Sequence, residues 1–219
     1  MLIEEIKRRG ITELLHFTTN RGIVGVLDSG FLLSRHRVRQ EDSLRYILHC
    51  NATNRPEENN FFDKSENWID YVNLSISEIN RRYFEFSQSW HLNADIWWGI
   101  LSFDSVAIAD DGVYFATTNN AYDRCIRKKG LEGFKDLFAP VIARKSTGWN
   151  AHRLTRAERL PTCEQAEVLY PGELPVRYLR RIYVLNEACY DIAIGWLDEF
   201  GHTDVDIQIN PQKFQGMKN

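Results

Sequence analysis

Three short apolar stretches of the sequence each carry one polar side chain of a type that takes part in chemistry. These side chains are His16, Tyr114 and Glu167, and each stretch has the composition of a buried strand. Taken singly, such a histidine or tyrosine is usually a core residue, and such a glutamate is usually on the surface. Gln165 lies two residues before Glu167, and alternate side chains of a strand point to one face. The carboxylate can stabilise developing positive charge, and the carboxamide can both donate and accept hydrogen bonds.

Positive charge is concentrated in residues 124–159. This segment has ten Lys and Arg residues against three Asp and Glu, whereas the whole chain has a formal net charge of −3. A basic segment in a mildly acidic protein favours a local site for a polyanion such as a nucleic acid. A solvated basic face is the alternative, and charge alone does not decide between the two.

The elements that must position these residues are short helices and strands. Hydrophobic periodicity predicts strands at residues 14–18, 70–74, 95–103, 112–116, 166–170, 176–185 and 205–209, and helices at 2–9, 20–29, 77–87 and 190–200. Residues 35–67 are polar and are predicted to form a helix and a long loop, while residues 124–159 give mixed signals. Strands outnumber helices and no βαβ unit repeats, so we predict an α+β fold. A length of 219 residues fits a single domain, 1–219.

The sequence argues against several classes of protein. Apolar runs such as residues 96–101 are far shorter than the ~20 residues needed to span a membrane. The charged, amphipathic N-terminus does not have the pattern of a signal peptide, so we expect a cytoplasmic protein. The four cysteines form no C-x-x-C pair, and the histidines show no metal-binding spacing. We therefore predict neither disulfides nor a bound metal.

The order of the polar motifs resembles the ADP-ribosyltransferase superfamily, in its His–Tyr–Glu branch. The matching features are the His16-Phe17-Thr18 strand followed by a capped helix, the strand at residues 112–116, and the late strand with Glu167. Residues 16–214 resemble one family more closely, the DarT bacterial toxins that ADP-ribosylate DNA bases. That similarity adds residues 71–73, 97–103 and 165–171.

Two features depart from the family pattern. Arg21-Gly22-Ile23 stands where the family often shows Asn-Leu, and the strand with Tyr114 is closer to the poly(ADP-ribose) polymerase pattern than to the thymine-modifying members.

The resemblance implies an ADP-ribosyltransferase-like fold of two packed, mostly antiparallel sheets flanked by helices, with NAD as co-substrate. Glu167 is the implied catalytic carboxylate, because the nicotinamide–ribose bond breaks through an oxocarbenium-like state that a carboxylate stabilises. The implied NAD-binding residues are His16, Phe17, Thr18, Tyr71 and Tyr114. His16 is expected to bind the adenosine-side ribose and the Phe17 backbone to hold the carboxamide. Tyr114 is expected to stack on nicotinamide.

The family also has an essential arginine in its polar segment. Arg55, which directly precedes Pro56, is our candidate for this catalytic role. Its guanidinium would grip the NAD diphosphate or shield charge at the reaction centre. Another arginine within residues 35–55 is an equal alternative.

The expected acceptor is a nucleobase in single-stranded DNA. Gln165 resembles the acceptor-selecting residue of guanine-modifying relatives, so guanine is favoured over thymine, and a base that presents its edge must be unstacked. The basic segment lies where the superfamily places its substrate-recognition loop. Its candidate nucleic-acid contacts are Arg144, Lys145, Trp149, His152, Arg153, Arg156 and Arg159.

Two alternatives remain open at this point. One keeps the transferase activity but makes RNA or a protein side chain the acceptor. The other is an inactive member of the fold that only binds nucleic acid. If the leading interpretation holds, the family further implies a toxin countered by an antitoxin with ADP-ribosyl-hydrolase activity.

Overall fold

The computed structural model describes residues 1–38, 70–89, 95–217 and 219. Six helices lie in these ranges: α1 Leu2–Arg8, α2 Asn20–Ser29, α3 Arg35–Val38, α4 Arg81–Gln88, α5 Gly130–Asp136 and α6 Glu187–Glu199. Three 3₁₀ turns span Ser105–Ala109, Val176–Tyr178 and Pro211–Phe214. Among the described helices, none is long and apolar enough to cross a bilayer.

Twelve strands account for the rest of the regular structure in the described ranges. The strands are β1 Glu13–Thr19, β2 Phe31–Leu33, β3 Tyr71–Ile76, β4 Trp98–Asp104, β5 Tyr114–Ala116, β6 Arg127–Lys129, β7 Val141–Ala143, β8 Asn150–His152, β9 Glu167–Pro171, β10 Glu173–Pro175, β11 Leu179–Val184 and β12 Asp206–Ile209. Eight of them form one sheet in the order β12-β11-β4-β1-β3-β9-β5-β6, and β10-β2 and β7-β8 form two-stranded sheets. This mixture of helices with a mostly antiparallel sheet confirms the predicted α+β class.

The large sheet is divided near its middle. Strands β1 and β3 pair only at Leu14↔Ile76 and Leu15↔Ser75. Beyond these two pairs, β1 stays on β4 as far as Thr19↔Trp98, and β3 stays on β9. Strand β1 after Leu15 and strand β3 before Ser75 therefore diverge, which leaves an opening between two four-stranded halves. These two residue pairs join the two halves edge to edge.

One face of the sheet carries the larger core. Leu14, Leu74 and Phe103 are fully buried there, and helices α1, α2 and α6 cover them with side chains such as Ile6, Ile23 and Leu197. On the other face, α4 and the last 3₁₀ turn cover only the β1–β4–β11 half, through Phe84 and Phe214. The same face of the β3–β9–β5 half has partly exposed side chains, including Tyr71 and Tyr114. No described helix covers this face, which is called the uncovered face below and lies next to the opening.

Local sequence explains the limits of the helices beside the opening. The Thr19 side chain accepts the backbone N–H of Gly22 and begins α2, and Gly30, at φ 74°, ends it in the left-handed conformation. Helix α4 begins at Arg81 instead of the predicted residue 77, because Asn80 caps it through the backbone N–H of Tyr83. The mixed segment 124–159 contains β6, α5, β7 and β8.

Candidate active site

Strand register places four of the predicted site residues or their neighbours on the uncovered face. Glu167 lies opposite Ala116, and Leu169 lies opposite Tyr114. On the other side of β9, Leu169 lies opposite Asn73 and Pro171 lies opposite Tyr71. Because directly paired residues point to the same face, the side chains of Glu167, Tyr114, Asn73 and Tyr71 share it.

The Glu167 carboxylate is held by two donors. The backbone N–H of Asn120 donates to Oε2 at 2.8 Å, and the Asn73 side-chain amide donates to Oε1 at 3.3 Å. Burial raises the pKa of Glu167 to about 7, against the opposing effects of these two hydrogen bonds and of the Arg127 charge. Both protonation states are therefore accessible near neutral pH, which suits a group that exchanges a proton.

His16 lies on β1 immediately after the last residue that pairs with β3. Its Nδ1 is 3.0 Å from the backbone carbonyl oxygen of Asn73. Because a carbonyl oxygen only accepts, this contact places a proton on Nδ1. Asn73 thus contacts both His16, through its carbonyl, and Glu167, through its side chain, and so links the two halves of the sheet across the opening.

The two residues after His16 are fixed by packing. The Phe17 ring lies 5.1 Å from that of Phe84 and 5.8 Å from that of Trp98. Thr18 lies against the first turn of α2, where a Cβ on Gly22 would be 2.0 Å from Thr18 Oγ1. Gly22, one of the departures from the family pattern, is therefore required by the close approach of α2 to this strand.

Tyr71 and Tyr114 form an aromatic pair on the uncovered face. Their ring centroids are 6.0 Å apart with the rings nearly perpendicular, and Lys129 Nζ lies 4.7 Å from the Tyr114 centroid. Both tyrosines are half-buried, so part of each ring remains accessible. This surface can stack on a planar ring such as nicotinamide.

Gln165 precedes strand β9, which begins at Glu167. Strand alternation therefore does not decide whether the Gln165 and Glu167 side chains point to one face, and their shared site stays a prediction. Gln165 is buried, and its Oε1 has no hydrogen-bond partner among the described residues. A hydrogen bond from Gln165 partly offsets the burial that raises the pKa of Tyr122.

Three arginines of the basic segment bind within the protein. Arg144 is 2% exposed, and its guanidinium donates to Cys163 Sγ at 3.3 Å and to the Asn219 carbonyl. Arg156 is paired with Glu78, with side chains only 6% and 10% exposed, and Arg153 donates to the Leu160 carbonyl at 3.1 Å. The prediction that Arg144 and Arg156 contact phosphates is therefore wrong, because both guanidinium groups are buried and bind groups of the protein itself.

The remaining candidates of this segment are at the surface. Lys145, His152 and Arg159 are exposed. Trp149 is half-buried between two guanidinium groups, with Arg144 at 4.6 Å and Arg82 at 5.0 Å from its ring centroid. These four side chains are the accessible ones among the remaining predicted contacts.

Some predicted features lie outside the described residues. Arg55, the candidate catalytic arginine, and Cys50 belong to residues 39–69, of which nothing is described. Within the described ranges, Cys125, Cys163 and Cys189 are free thiols. No group of three or more His, Cys, Asp or Glu side chains in those ranges is arranged to hold a metal ion.

Sequence reasoning gave no role to the groups that hold the Glu167 carboxylate. Asn73 belongs to a matched motif, but its amide was not singled out. Asn120 follows the tyrosine strand in a loop, and its backbone N–H carries no signal in the side-chain pattern. Arg127 was counted only as part of the basic segment.

Comparison with known proteins gives a consistent result. The sequence model of the family described as "ssDNA thymidine ADP-ribosyltransferase, DarT" matches residues 15–215. The solved Thermosipho africanus DarTG in complex with ADP-ribose is 16% identical with a TM-score of 0.56, and the match covers 94% of this chain but only 52% of that one. No curated protein matches.

Two structures of Thermus sp. 2.9 DarT match over nearly their whole length. The complex with carba-NAD+ is 14% identical with a TM-score of 0.61, and the match covers 92% of this chain and 97% of that one. The complex with ADP-ribosylated ssDNA is 13% identical with a TM-score of 0.64, and the match covers 93% and 96%. The fold is thus the fold of these proteins, and the family match shows that the chain belongs to the DarT family of NAD-dependent ssDNA ADP-ribosyltransferases, as its motifs predicted.

Proposed function

We propose that this chain transfers ADP-ribose from NAD to a nucleobase of single-stranded DNA, with Glu167 as the catalytic carboxylate. The observation that carries the proposal is the position of Glu167. Its carboxylate lies on the uncovered face beside Tyr114 and is linked through Asn73 to His16 at the opening of the sheet. The three residues that define the His–Tyr–Glu pattern thus lie around one opening.

NAD binds along this opening in the proposal. His16 contacts the adenosine-side ribose, Thr18 and the Phe17 backbone support the pocket, and the rings of Tyr114 and Tyr71 hold nicotinamide. Arg55 is proposed to bind the diphosphate or to shield charge at the reaction centre. The half-exposed tyrosine rings support stacking, because a planar cationic ring is attracted to an aromatic face.

The reaction breaks the bond between ribose C1′ and the nicotinamide nitrogen. The bonding electrons leave with nicotinamide, and C1′ acquires positive charge that the Glu167 carboxylate stabilises through a ribose hydroxyl. A ring nitrogen of the base attacks C1′ and then loses its proton. A carboxyl group with a pKa of about 7 is matched to accept that proton at neutral pH.

The proposed base is guanine, with thymine as the alternative. The family is described by thymidine modification, whereas Gln165 favours guanine by resemblance. The buried Gln165 Oε1 has no partner among the described residues, and an unpaired buried acceptor gains from a donor on a bound base. Guanine offers two adjacent N–H donors on its pairing edge and thymine offers one.

The single-stranded segment is proposed to cross the exposed part of the basic segment. Lys145 and Arg159 contact phosphates, while Trp149 or His152 stacks on a base next to the modified one. Arg153, half-exposed, is at the margin of this surface. The exposure of Lys145, His152 and Arg159 and the half-buried Trp149 indole with two guanidinium groups near its ring support this path.

The test of the proposed activity is mass spectrometry of defined oligonucleotides. Strands with a single guanine or a single thymine, as DNA and as RNA, are incubated with NAD and the protein, together with a protein acceptor mixture. We expect ADP-ribose on the guanine DNA strand and none with Glu167→Gln. Modification of thymine alone would correct the base, modification of RNA or protein alone would replace the acceptor, and no modification of any strand or protein would refute the proposal.

We also propose that the chain acts in the cytoplasm as the toxin of a toxin–antitoxin pair. The partner would be an ADP-ribosyl hydrolase that removes the mark from DNA. Expression in a bacterial host should stop growth for the wild type but not for Glu167→Ala. Growth that is equal for both proteins would contradict the toxin role and would favour an inactive binding member of the fold.

A further inference from the structure

We propose that Arg127 and Asn120 form a clamp that positions the Glu167 carboxylate, an inference that rests on the proposed catalytic role of Glu167. Neither residue is a catalytic residue in this proposal, because neither contacts substrate. They act through the geometry of the carboxylate.

Strand register brings Arg127 to the correct face. Arg127 on β6 lies opposite Ala116 on β5, and Ala116 lies opposite Glu167 on β9. The side chains of Arg127 and Glu167 therefore share one face two strands apart, about 10 Å between backbones. The residue between them is an alanine, fully buried, whose methyl group leaves room for other side chains above it.

Asn120 occupies this room and connects the two residues. Its backbone N–H donates to Glu167 Oε2 at 2.8 Å. The Arg127 guanidinium donates to both acceptors of Asn120, through Nε to Oδ1 and through Nη2 to the backbone carbonyl oxygen. A third donor, Nη1, reaches the Cys125 carbonyl at 3.3 Å.

These contacts fix the direction of one peptide group. A planar guanidinium that binds the side chain and the carbonyl of the same residue fixes its orientation. The Asn120 N–H is thereby held toward the carboxylate. Asn120 is 3% exposed, so an alternative orientation would leave these polar groups unpaired in a buried site.

The clamp also affects the charge of Glu167. Burial favours the neutral acid, and the Arg127 charge is the ionic contribution that opposes it. The other polar groups on the elements that surround the carboxylate are His16 on β1, Asn73 and Tyr71 on β3, Tyr114 on β5, Lys129 on β6, and Cys125 in the β5–β6 loop. Among the described residues, Lys129 is the lysine or arginine of this set besides Arg127 itself, and it lies over the Tyr114 ring.

The test compares Arg127→Gln, Arg127→Lys and the control Lys128→Gln. Lys128 is the next residue of β6, and its charge is paired with Asp136 on α5. We measure transfer to a modifiable oligonucleotide from pH 5 to 9. For Arg127→Gln we expect the acidic side of the pH profile of kcat, the acid limb, to shift to higher pH by about one pH unit. As a result, kcat should fall about tenfold near pH 6 and partly recover at pH 9.

Arg127→Lys keeps the charge but not the planar fork. We expect its acid limb near the wild-type position and a lower plateau, because the Asn120 peptide is no longer held from two sides. Lys128→Gln should match the wild type throughout. A Glu δ-carbon NMR titration, assigned through the signal missing in Glu167→Gln, reports the same shift without any activity measurement.

Several outcomes would overturn the clamp. An unshifted acid limb in Arg127→Gln, or an equal loss of activity at every pH, would reduce Arg127 to a structural residue. If Arg127→Gln does not fold, Asn120→Ala decides: it removes Oδ1 but keeps the backbone N–H, and an unchanged kcat and limb would refute the clamp. If Glu167→Gln itself remains active, the proposed function fails instead, independently of Arg127.

Discussion

At the scale of single residues, Glu167 is a group that the fold holds at an energetic cost. A buried carboxylate loses hydration, and two hydrogen bonds with one nearby guanidinium recover only part of it. The pKa of about 7 is the measure of this imbalance. Carboxylates in catalytic sites are often kept in such surroundings, because the group that they stabilise appears only in the transition state.

This cost leads to a prediction for stability against pH. The folded-state pKa of Glu167 lies above the unfolded value of 4.5, so the folded state binds this proton more tightly than the unfolded state. The resulting contribution to the free energy of unfolding is fully present below pH 4.5 and is lost as pH rises through 7. The side chain of Glu167→Gln cannot ionise, so the variant does not lose stability in this way. The free energy of unfolding of the variant, relative to wild type, should therefore rise by about 3 kcal/mol at most between pH 4 and pH 8.

The measurement is denaturant unfolding of both proteins at several pH values. The glutamine amide of the variant must turn one N–H toward a donor, which changes its stability by the same amount at every pH. Comparing how the difference in unfolding free energy varies with pH removes this constant effect. A control substitution, Glu132→Gln, affects an exposed carboxyl group of α5 and should give no such trend. A flat difference across the range would show that Glu167 is ionised without penalty.

Single residues were predictable from the sequence where type and motif order decide. His16, Tyr114 and Glu167 were selected on that basis, and the structure places them around one opening. Exposure was not predictable: Arg144 and Arg156 have the same residue type as exposed Arg159, and only tertiary packing on Cys163 and Glu78 distinguishes them. Arg127 and Asn120 require the register of three strands, which no local pattern gives.

At the scale of elements, the contact between α2 and β1 controls the shape of the strand that is proposed to bind NAD. In Gly22→Ala the new methyl group would lie 2.0 Å from Thr18 Oγ1, so the Thr18 side chain, the helix or the strand must shift. Overpacking of this kind costs about 1–3 kcal/mol. We expect lower stability and weaker NAD binding together, because Thr18 is next to His16.

Gly195→Ala provides the matched control for this prediction. Gly195 also lies inside a helix, α6, but a Cβ there meets nothing within 4 Å. This variant should gain up to about 1 kcal/mol from helix propensity and should bind NAD unchanged. Thermal melts and titration calorimetry of the two variants separate the effects, and a stable, NAD-binding Gly22→Ala protein would contradict the tight contact.

A second prediction at this scale concerns the basic segment. Lys145→Gln combined with Arg159→Gln removes two exposed cations, and we expect weaker binding of single-stranded DNA with a salt slope reduced by about 1.4. Lys7→Gln combined with Arg180→Gln removes two exposed cations elsewhere and should change little. Fluorescence anisotropy at several salt concentrations checks both, and equal effects of the two double variants would refute a local interface.

Most elements were predictable because their hydrophobic period is strong. Strands β1, β4 and β9 and helices α1, α2 and α6 lie within a few residues of their predicted positions. The segment 124–159 was not predictable, because β6, β7 and β8 are three residues long and depend on partners distant in sequence. The predicted start of α4 at residue 77 was wrong, because the cap at Asn80 has a stronger local effect than periodicity.

At the scale of the whole molecule, the division of the sheet joins stability to function. Among the described residues, the two halves are hydrogen-bonded through two residue pairs of β1 and β3, through the Ser77 N–H to the Glu13 carbonyl and through the His16–Asn73 contact. In the proposal NAD lies across this opening and contacts both halves. A ligand that binds only the assembled halves must stabilise their connection.

Ligand binding in the opening can be tested without turnover. The glycosidic bond of carba-NAD+ resists cleavage. Carba-NAD+ should increase the free energy of unfolding of the wild-type protein by about 2.7 kcal/mol at a hundredfold excess over Kd, and its Tm should rise with the logarithm of the ligand concentration. Hydrogen exchange should slow in Phe17–Thr19 of β1 and Tyr71–Asn73 of β3, because these segments close on the ligand. Strand β12, at the far edge of the sheet, is the internal control and should exchange at its original rate. Protection confined to α6 and β12, or a Tm independent of carba-NAD+, would show that NAD does not bind in the opening between the two halves.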